Sequence, residues 1–282
     1  MHIHWFPGHM TKAIRMMTDE IKNIDGVIYV LDARAPLSCI NPAFDSVIGS
    51  RPRLYVINKF DLIEKTAVQR WTEYFNKLKM PTVFADSAHK TDVIHVKNGL
   101  KLITSKITEK YKARGIDKTI RAMVLGIPNS GKSTLINSLS SEKKAVTGNR
   151  PGVTRGKQWI TIDNHLDLLD SPGVLYPDFS DQKKATNLAL LGSIKDDILD
   201  VTELAIAGIT LLKKIAPSRL VERYNLIALN DDPFVVLEEI TKQRGYLLKG
   251  NVLDTERGAT AFINDLRKGL IGKFVLDTIP RT

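Results

Sequence analysis

Gly126-Ile127-Pro128-Asn129-Ser130-Gly131-Lys132-Ser133 is the stretch of this 282-residue chain that decides the fold. It matches G-x-x-x-x-G-K-S, with an apolar run at 121–126 before it and helical periodicity over 132–139 after it. A glycine-bearing loop between strand and helix can curl its backbone N–H groups around phosphates. The start of the following helix adds a favourable dipole for anions. In this pattern Lys132 reaches the β- and γ-phosphates, and the Ser133 hydroxyl is an expected Mg²⁺ ligand. Asn129, Ser130, Gly131 and Thr134 complete the expected phosphate-binding set.

Outward from this loop, short apolar runs bounded by polar or turn residues read as buried parallel strands at 26–31, 54–57, 82–85 and 121–126. Two further strands are expected at 159–162 and 166–169, joined by the turn Asp163-Asn164. Helical spacing falls between them, at 11–23, 67–78, 100–112 and 132–139. Strands alternating with helices predict an α/β fold with a doubly wound, mostly parallel sheet, whose ligands sit at the carboxyl ends of the strands. From about residue 181 the pattern becomes helix after helix. Ile198, Val201, Ala205, Ile209 and Leu212 recur at helical spacing, and Pro217 and Asp231-Asp232-Pro233 mark breaks and helix starts. The expected division is a nucleotide-binding domain over 1–180, with an N-terminal arm at 1–23, and a small all-α domain over 181–282.

Four short motifs acquire meaning beside the phosphate loop. Asn58-Lys59-Phe60-Asp61 follows the 54–57 strand. There the Asp61 carboxylate would accept hydrogen bonds from the guanine ring N–H and amino group. Adenine offers an acceptor where guanine has a donor, and a buried mismatch of that kind costs about 1–3 kcal/mol. Asn58 and Lys59 would brace the loop and cover the base. Asp86-Ser87-Ala88, after the 82–85 strand, would give backbone N–H groups to the guanine oxygen. Pro151-Gly152-Val153-Thr154 would bring the Thr154 hydroxyl and carbonyl to Mg²⁺ and the γ-phosphate. Asp170-Ser171-Pro172-Gly173 would hold Mg²⁺ through water at Asp170 and sense the γ-phosphate with the Gly173 N–H. The order is permuted. In the usual connectivity the phosphate-reading set comes first, whereas here the base-reading pair precedes it, and the chain is cut after D-x-x-G. The expected ligand is therefore GTP or GDP, on a circularly permuted P-loop GTPase sheet.

The composition is ordinary for a globular protein, with 43% hydrophobic and 26% charged residues. The single cysteine, Cys39, excludes an internal disulfide framework and a multi-cysteine metal site. No apolar run is long enough to span a bilayer, and the first residues lack a signal-peptide pattern. A cytoplasmic protein without a membrane partner is expected, as a monomer. The formal charge is +10. It is concentrated in residues 1–115, with 18 basic against 11 acidic side chains, whereas 181–282 holds 15 against 14. Lys143, Lys144, Arg150, Arg155 and Lys157 form a stretch with no acid from 143 to 157. A polyanionic partner and a merely solvated basic face both fit this charge.

The permuted order, Trp5-Phe6-Pro7-Gly8-His9-Met10 at the start, and Asp32-Ala33-Arg34-Ala35-Pro36 after the first strand resemble the YlqF-type circularly permuted GTPases, the ribosome biogenesis GTPase A family. The resemblance covers nearly the whole chain and is most specific over 1–180. It implies an assembly factor for the large (50S) ribosomal subunit that binds ribosomal RNA when loaded with GTP. Stimulation by the particle and departure after hydrolysis follow from the same resemblance, and DNA is not an expected partner. It implies that His9 positions the attacking water; without the resemblance, His9 reads as a surface or capping residue. Val174 stands where many GTPases place a water-orienting Gln. Asn129 matches an Asn that helps hold K⁺ in related GTPases, and equally fits a loop residue satisfying backbone groups. Two alternatives remain at this stage: a nucleotide-gated RNA-binding module with negligible turnover, and a related permuted GTPase serving another ribosomal particle.

Overall fold

The computed structural model describes residues 8–140, 158–175 and 181–280, with residues 8–10 as backbone only. Six strands form one sheet in the order β3-β2-β1-β4-β6-β5. They are β1 (Gly26–Asp32), β2 (Arg53–Asn58), β3 (Thr82–Ala85), β4 (Ile120–Gly126), β5 (Gln158–Asp163) and β6 (Leu166–Asp170). All neighbouring pairs are parallel except the β5–β6 hairpin. β1 lies between β2 and β4, with Val30 opposite both Val56 and Gly126. The loops leaving β2 and β4 therefore start at one edge of the sheet, on either side of β1.

Side-chain alternation divides the apolar core between the two faces of the sheet. Ile28, Val30, Val56, Val124 and Leu168 face α4 (Lys90–Lys112) and α5 (Lys132–Leu139). Val27, Tyr29, Leu31, Ile57, Met123, Leu125 and Leu169 face the other way, toward α1 (Gly8–Glu20), α2 (Ala43–Ile48) and α3 (Lys65–Lys77). The helical C-terminal region joins that second cluster without a gap. It comprises α6 (Gln182–Leu190), α7 (Val201–Ile215), α8 (Pro217–Tyr224), α9 (Pro233–Gln243) and α10 (Thr255–Arg267). Leu188, Leu204, Ile209, Phe262 and Leu276 lie in the same continuous core as Tyr29 and Leu125.

Helix starts follow the sequence chemistry. Asp200 accepts from the N–H groups of Thr202 and Glu203 at the start of α7, and Asp232 accepts from Phe234 N–H at the start of α9. Pro217 and Pro233 open α8 and α9, where the missing N–H has no intrahelical partner to lose.

The structure also moves several expected boundaries. α4 starts at Lys90, ten residues before the spacing at 100–112 suggests, because Val93, Val96 and Leu100 carry its buried face through a polar stretch. α2 is a six-residue helix that the periodicity does not reveal. Ile198 does not belong to the α7 stripe. It sits in a single 3₁₀ turn before the Asp200 cap and is 47% exposed. The β5–β6 turn is Asn164-His165, since Asp163 remains in β5 and accepts from the His165 N–H.

Candidate functional site

β4 ends at Gly126, and α5 opens at Lys132 after a five-residue loop. Asn129 and Gly131 take positive φ, at 60° and 97°, to turn the backbone into the helix. At Gly131 only glycine fits: a Cβ there would stand 2.1 Å from the Asn58 Nδ2. Ser130 folds its hydroxyl back onto the Ile127 carbonyl at 3.0 Å. The Lys132 ammonium donates to the same carbonyl at 2.8 Å and is buried. Burial lowers its pKa from 10.5 to about 8; Asp170 opposes that shift and Lys59 adds to it. A buried cation inside a loop of backbone N–H groups is a site that favours a polyanion. Thr134 is exposed in the first turn of α5.

Asn58 and Lys59 bind this loop to the end of β2. The Asn58 amide donates to the Ser130 carbonyl at 2.7 Å, and its oxygen accepts from the Ser87 N–H and hydroxyl at 3.0 and 2.7 Å. One buried side chain thus joins the loops after β2, β3 and β4. The Lys59 ammonium donates to the Asn129 carbonyl at 2.6 Å and to Asp32 at 2.9 Å. Phe60 and Asp61 then begin a 3₁₀ turn. Asp61 is exposed, and its pKa is raised, first by partial desolvation and then by Asp86. Two carboxyl groups close enough to influence each other favour a ligand edge that offers N–H donors. In the Asp86-Ser87-Ala88 loop the Ala88 N–H donates to the Asp86 side chain at 2.8 Å, so a base oxygen would have to take over that donor.

On the other side of the phosphate loop, the Ser133 hydroxyl donates to Asp170 at 3.3 Å. A hydroxyl and a buried carboxylate side by side are hard oxygen donors, which suit Mg²⁺ with water completing its shell. Gly173 passes against the loop so closely that a Cβ would lie 2.6 Å from Pro128 N and 3.0 Å from the Lys132 Nζ. Val174, next along, is buried in the core, and its N–H donates to the Gly126 carbonyl at 3.4 Å. The Asn129 amide donates to the Gly192 carbonyl at 2.5 Å, and the Ser193 hydroxyl to the Pro128 carbonyl at 2.9 Å. These two contacts come from the turn after α6 and escape sequence reasoning, because a carbonyl partner leaves no residue signature. Asp32 also escapes a functional reading there, although it stands in a quoted motif. Thr154 and the basic stretch Lys143, Lys144, Arg150, Arg155 and Lys157 lie outside the described residues, as does the His9 side chain.

A family model described as 50S ribosome-binding GTPase matches residues 121–238. Ribosome biogenesis GTPase A of Bacillus cereus is 39% identical over 279 residues, covering 99% of this chain and 94% of that protein. The same-named protein of Priestia megaterium is 38% identical, covering 98% and 97%. A crystal structure of GNP-bound YlqF from Thermotoga maritima shares the fold, with a TM-score of 0.67, 23% identity, and coverage of 96% of this chain and 100% of that one.

Proposed function

The chain belongs to the ribosome biogenesis GTPase A family and is a GTP hydrolase, and from that premise we propose that it gates a step in assembly of the large ribosomal subunit. The observation that carries the reading is the pair of bonds from Asn58 and Lys59 to the carbonyls of Ser130 and Asn129. They draw the base-reading and phosphate-reading motifs to one mouth despite their reversed order. Asp61 reads the guanine edge, with Phe60 and the Asp86-Ser87-Ala88 loop flanking the base. Lys132 and the backbone donors of Asn129, Ser130, Gly131, Ser133 and Thr134 hold the phosphates. Ser133 and Thr154, with Asp170 through water, would hold Mg²⁺. That ion supplies positive charge to the phosphate oxygens when bound.

Water attacks the γ-phosphorus in line as the bond to the β–γ bridging oxygen breaks, GDP leaves, and the water proton passes to the phosphate or to solvent. The negative charge that spreads over the oxygens meets Lys132 and the Gly173 N–H. Val174 offers no hydrogen-bonding group to that water, so turnover of the isolated chain is slow. His9 positions the water when the particle docks. The basic residues of the first half and of the 143–157 stretch meet ribosomal RNA phosphates. A cytoplasmic setting accords with this; among the described residues no helix is long and apolar enough to cross a membrane.

GTP turnover with purified ribosomal subunits tests the proposal, comparing wild type with His9→Ala in K⁺ and in Na⁺. Large subunits should raise wild-type turnover at least tenfold, and His9→Ala should lose most of that gain. A K⁺ requirement would give Asn129 the ion-holding role, and equal rates would leave it as the tie to Gly192. Equal stimulation by small subunits, or none by large ones, would end the large-subunit assignment.

A further inference from the structure

Asp32 closes β1 with a carboxylate that is 1% exposed. Two residues on, Arg34 is the largest fully buried side chain among the described residues. Its Nε and Nη2 hold the two Asp32 oxygens at 3.0 and 2.8 Å. Its Nη1 reaches 232 residues along the chain to the Leu266 carbonyl at 3.3 Å, and to the Arg267 carbonyl at 3.1 Å. Those are the last carbonyls of α10, where the helix dipole favours a cation. The same Asp32 accepts from Lys59, whose other bond goes to the Asn129 carbonyl in the phosphate loop. Burying such ions is costly, and a planar guanidinium with five fixed donors is suited to hold three groups at once.

A return path closes the circuit. Arg267, the last residue of α10, donates to the Ala189 and Leu190 carbonyls at the end of α6 at 2.9 and 3.2 Å. The turn just beyond them supplies Gly192 and Ser193 to Asn129 and Pro128. Asn129 therefore meets the helical region twice, once directly and once through Lys59, Asp32 and Arg34.

We propose that Asp32 and Arg34 are positioning residues that couple occupancy of the phosphate loop to the seating of α10. The coupling rests on the nucleotide reading above, and its middle members, Asp32 and Arg34, touch neither base nor phosphate. Phosphates that rearrange the Asn129 carbonyl disturb both of its connections together, and the rigid end of α10 responds as a unit. Coupling of this kind is typically of order tenfold, and linkage makes it reciprocal.

Hydrogen exchange on the full-length chain, with and without mant-GDP and a non-hydrolysable GTP analogue, reads the coupling directly. The reporters are the amides of Lys268, Gly269 and Leu270, which donate to Asn264, Leu266 and Asp265. In the wild type, nucleotide should slow their exchange roughly tenfold. In Arg34→Gln that dependence should vanish, and mant-GDP affinity should weaken by the same factor. A purely structural role would not produce that equality. Asp32→Asn should behave alike, and Arg34→Lys should keep the fold without restoring the coupling. Unchanged nucleotide dependence in Arg34→Gln would overturn the proposal. So would wild-type amides indifferent to bound nucleotide, a measurement that stands even where a variant fails to fold. Absence of mant-GDP binding to the wild type would instead sink the nucleotide site.

Discussion

The Asn58 side chain donates to the Ser130 carbonyl across 2.7 Å, and 72 residues separate the two along the chain. Its oxygen is committed to Ser87, and a flipped amide would set its NH2 against the Ser87 N–H and its oxygen against the Ser130 carbonyl. Asn58→Ala would orphan the Ser130 carbonyl and the Ser87 N–H in a buried place. Each orphaned group costs about 1–3 kcal/mol. Guanine nucleotide affinity should fall at least tenfold, and the melting temperature should drop by several degrees. A variant with wild-type mant-GDP affinity would show that the two loops do not depend on this tie.

Asp61 invites a change of base. A carboxylate accepts from two neighbouring N–H groups, whereas a carboxamide accepts one and donates one. Xanthine keeps the ring N–H of guanine but replaces the amino group with a carbonyl. Asp61→Asn should weaken GTP binding by about a hundredfold and make xanthosine triphosphate the better ligand, since a polar mismatch of this sort discriminates strongly. Competition titrations of the two nucleotides measure the swap. Retained preference for GTP would place the base elsewhere.

The pH dependence of binding follows from Lys132. Burial lowers its pKa to about 8 in the ligand-free chain, from 10.5 when exposed. Below about 8 the ammonium is charged in both the folded and unfolded chain; above it the folded, empty site holds the neutral amine. Triphosphate requires the charged form, so binding above that pH takes up a proton. GTP affinity should weaken about tenfold between pH 7 and pH 9, with proton uptake visible by calorimetry in two buffers of different ionisation enthalpy. A flat profile over this window would contradict the assignment of Lys132 to the phosphates.

Gly173→Ala places a methyl group 2.6 Å from the Pro128 nitrogen, a backbone atom that cannot rotate away. Overpacking of this type costs about 1–3 kcal/mol. The clash falls on the γ-phosphate side of the loop, so GTP turnover should fall tenfold or more while GDP affinity stays within about threefold. Equal losses for both nucleotides would show that Gly173 does not distinguish them.

In the helical region, Gly258 meets Thr241 so closely that a Cβ would stand 1.9 Å from the threonine hydroxyl oxygen. That hydroxyl is engaged with the Leu237 carbonyl at 2.7 Å. Gly258→Ala should destabilise the packing of α9 on α10 by about 1–3 kcal/mol, read from urea unfolding. The melted fraction of α10 amides in hydrogen exchange would rise in parallel. An unaffected midpoint would mean that α9 shifts freely.

What could be read from the residues alone differs between parts of the molecule. The strand and helix that flank 127–131 were legible because turn chemistry and apolar pattern coincide there; α5 matches the expected limits, and β4 starts one residue before them. The first half of α4 was hidden by a polar run whose buried positions are only Val93, Val96 and Leu100. The candidate site was legible wherever the chemistry resides in side chains, as at Asn58, Asp61 and Lys132. The bonds from Arg34 to Leu266 and Arg267 were not, since any residue supplies a carbonyl and only the fold decides which one. The buried cation itself gave a hint: an arginine between Ala33 and Ala35, behind a strand of apolar residues, needs partners somewhere.

The strand order carries a consequence for biosynthesis. β1 leaves the ribosome before the other five described strands, yet it sits inside the sheet, between β2 and β4. A nascent chain that ends before Ile120 can assemble β1, β2 and β3 but leaves one flank of β1 with open amides and carbonyls. The half proposed to read guanine is complete before the half proposed to hold phosphate exists. Under the proposed reading, the two halves of the nucleotide site coexist only once Lys132 has been added.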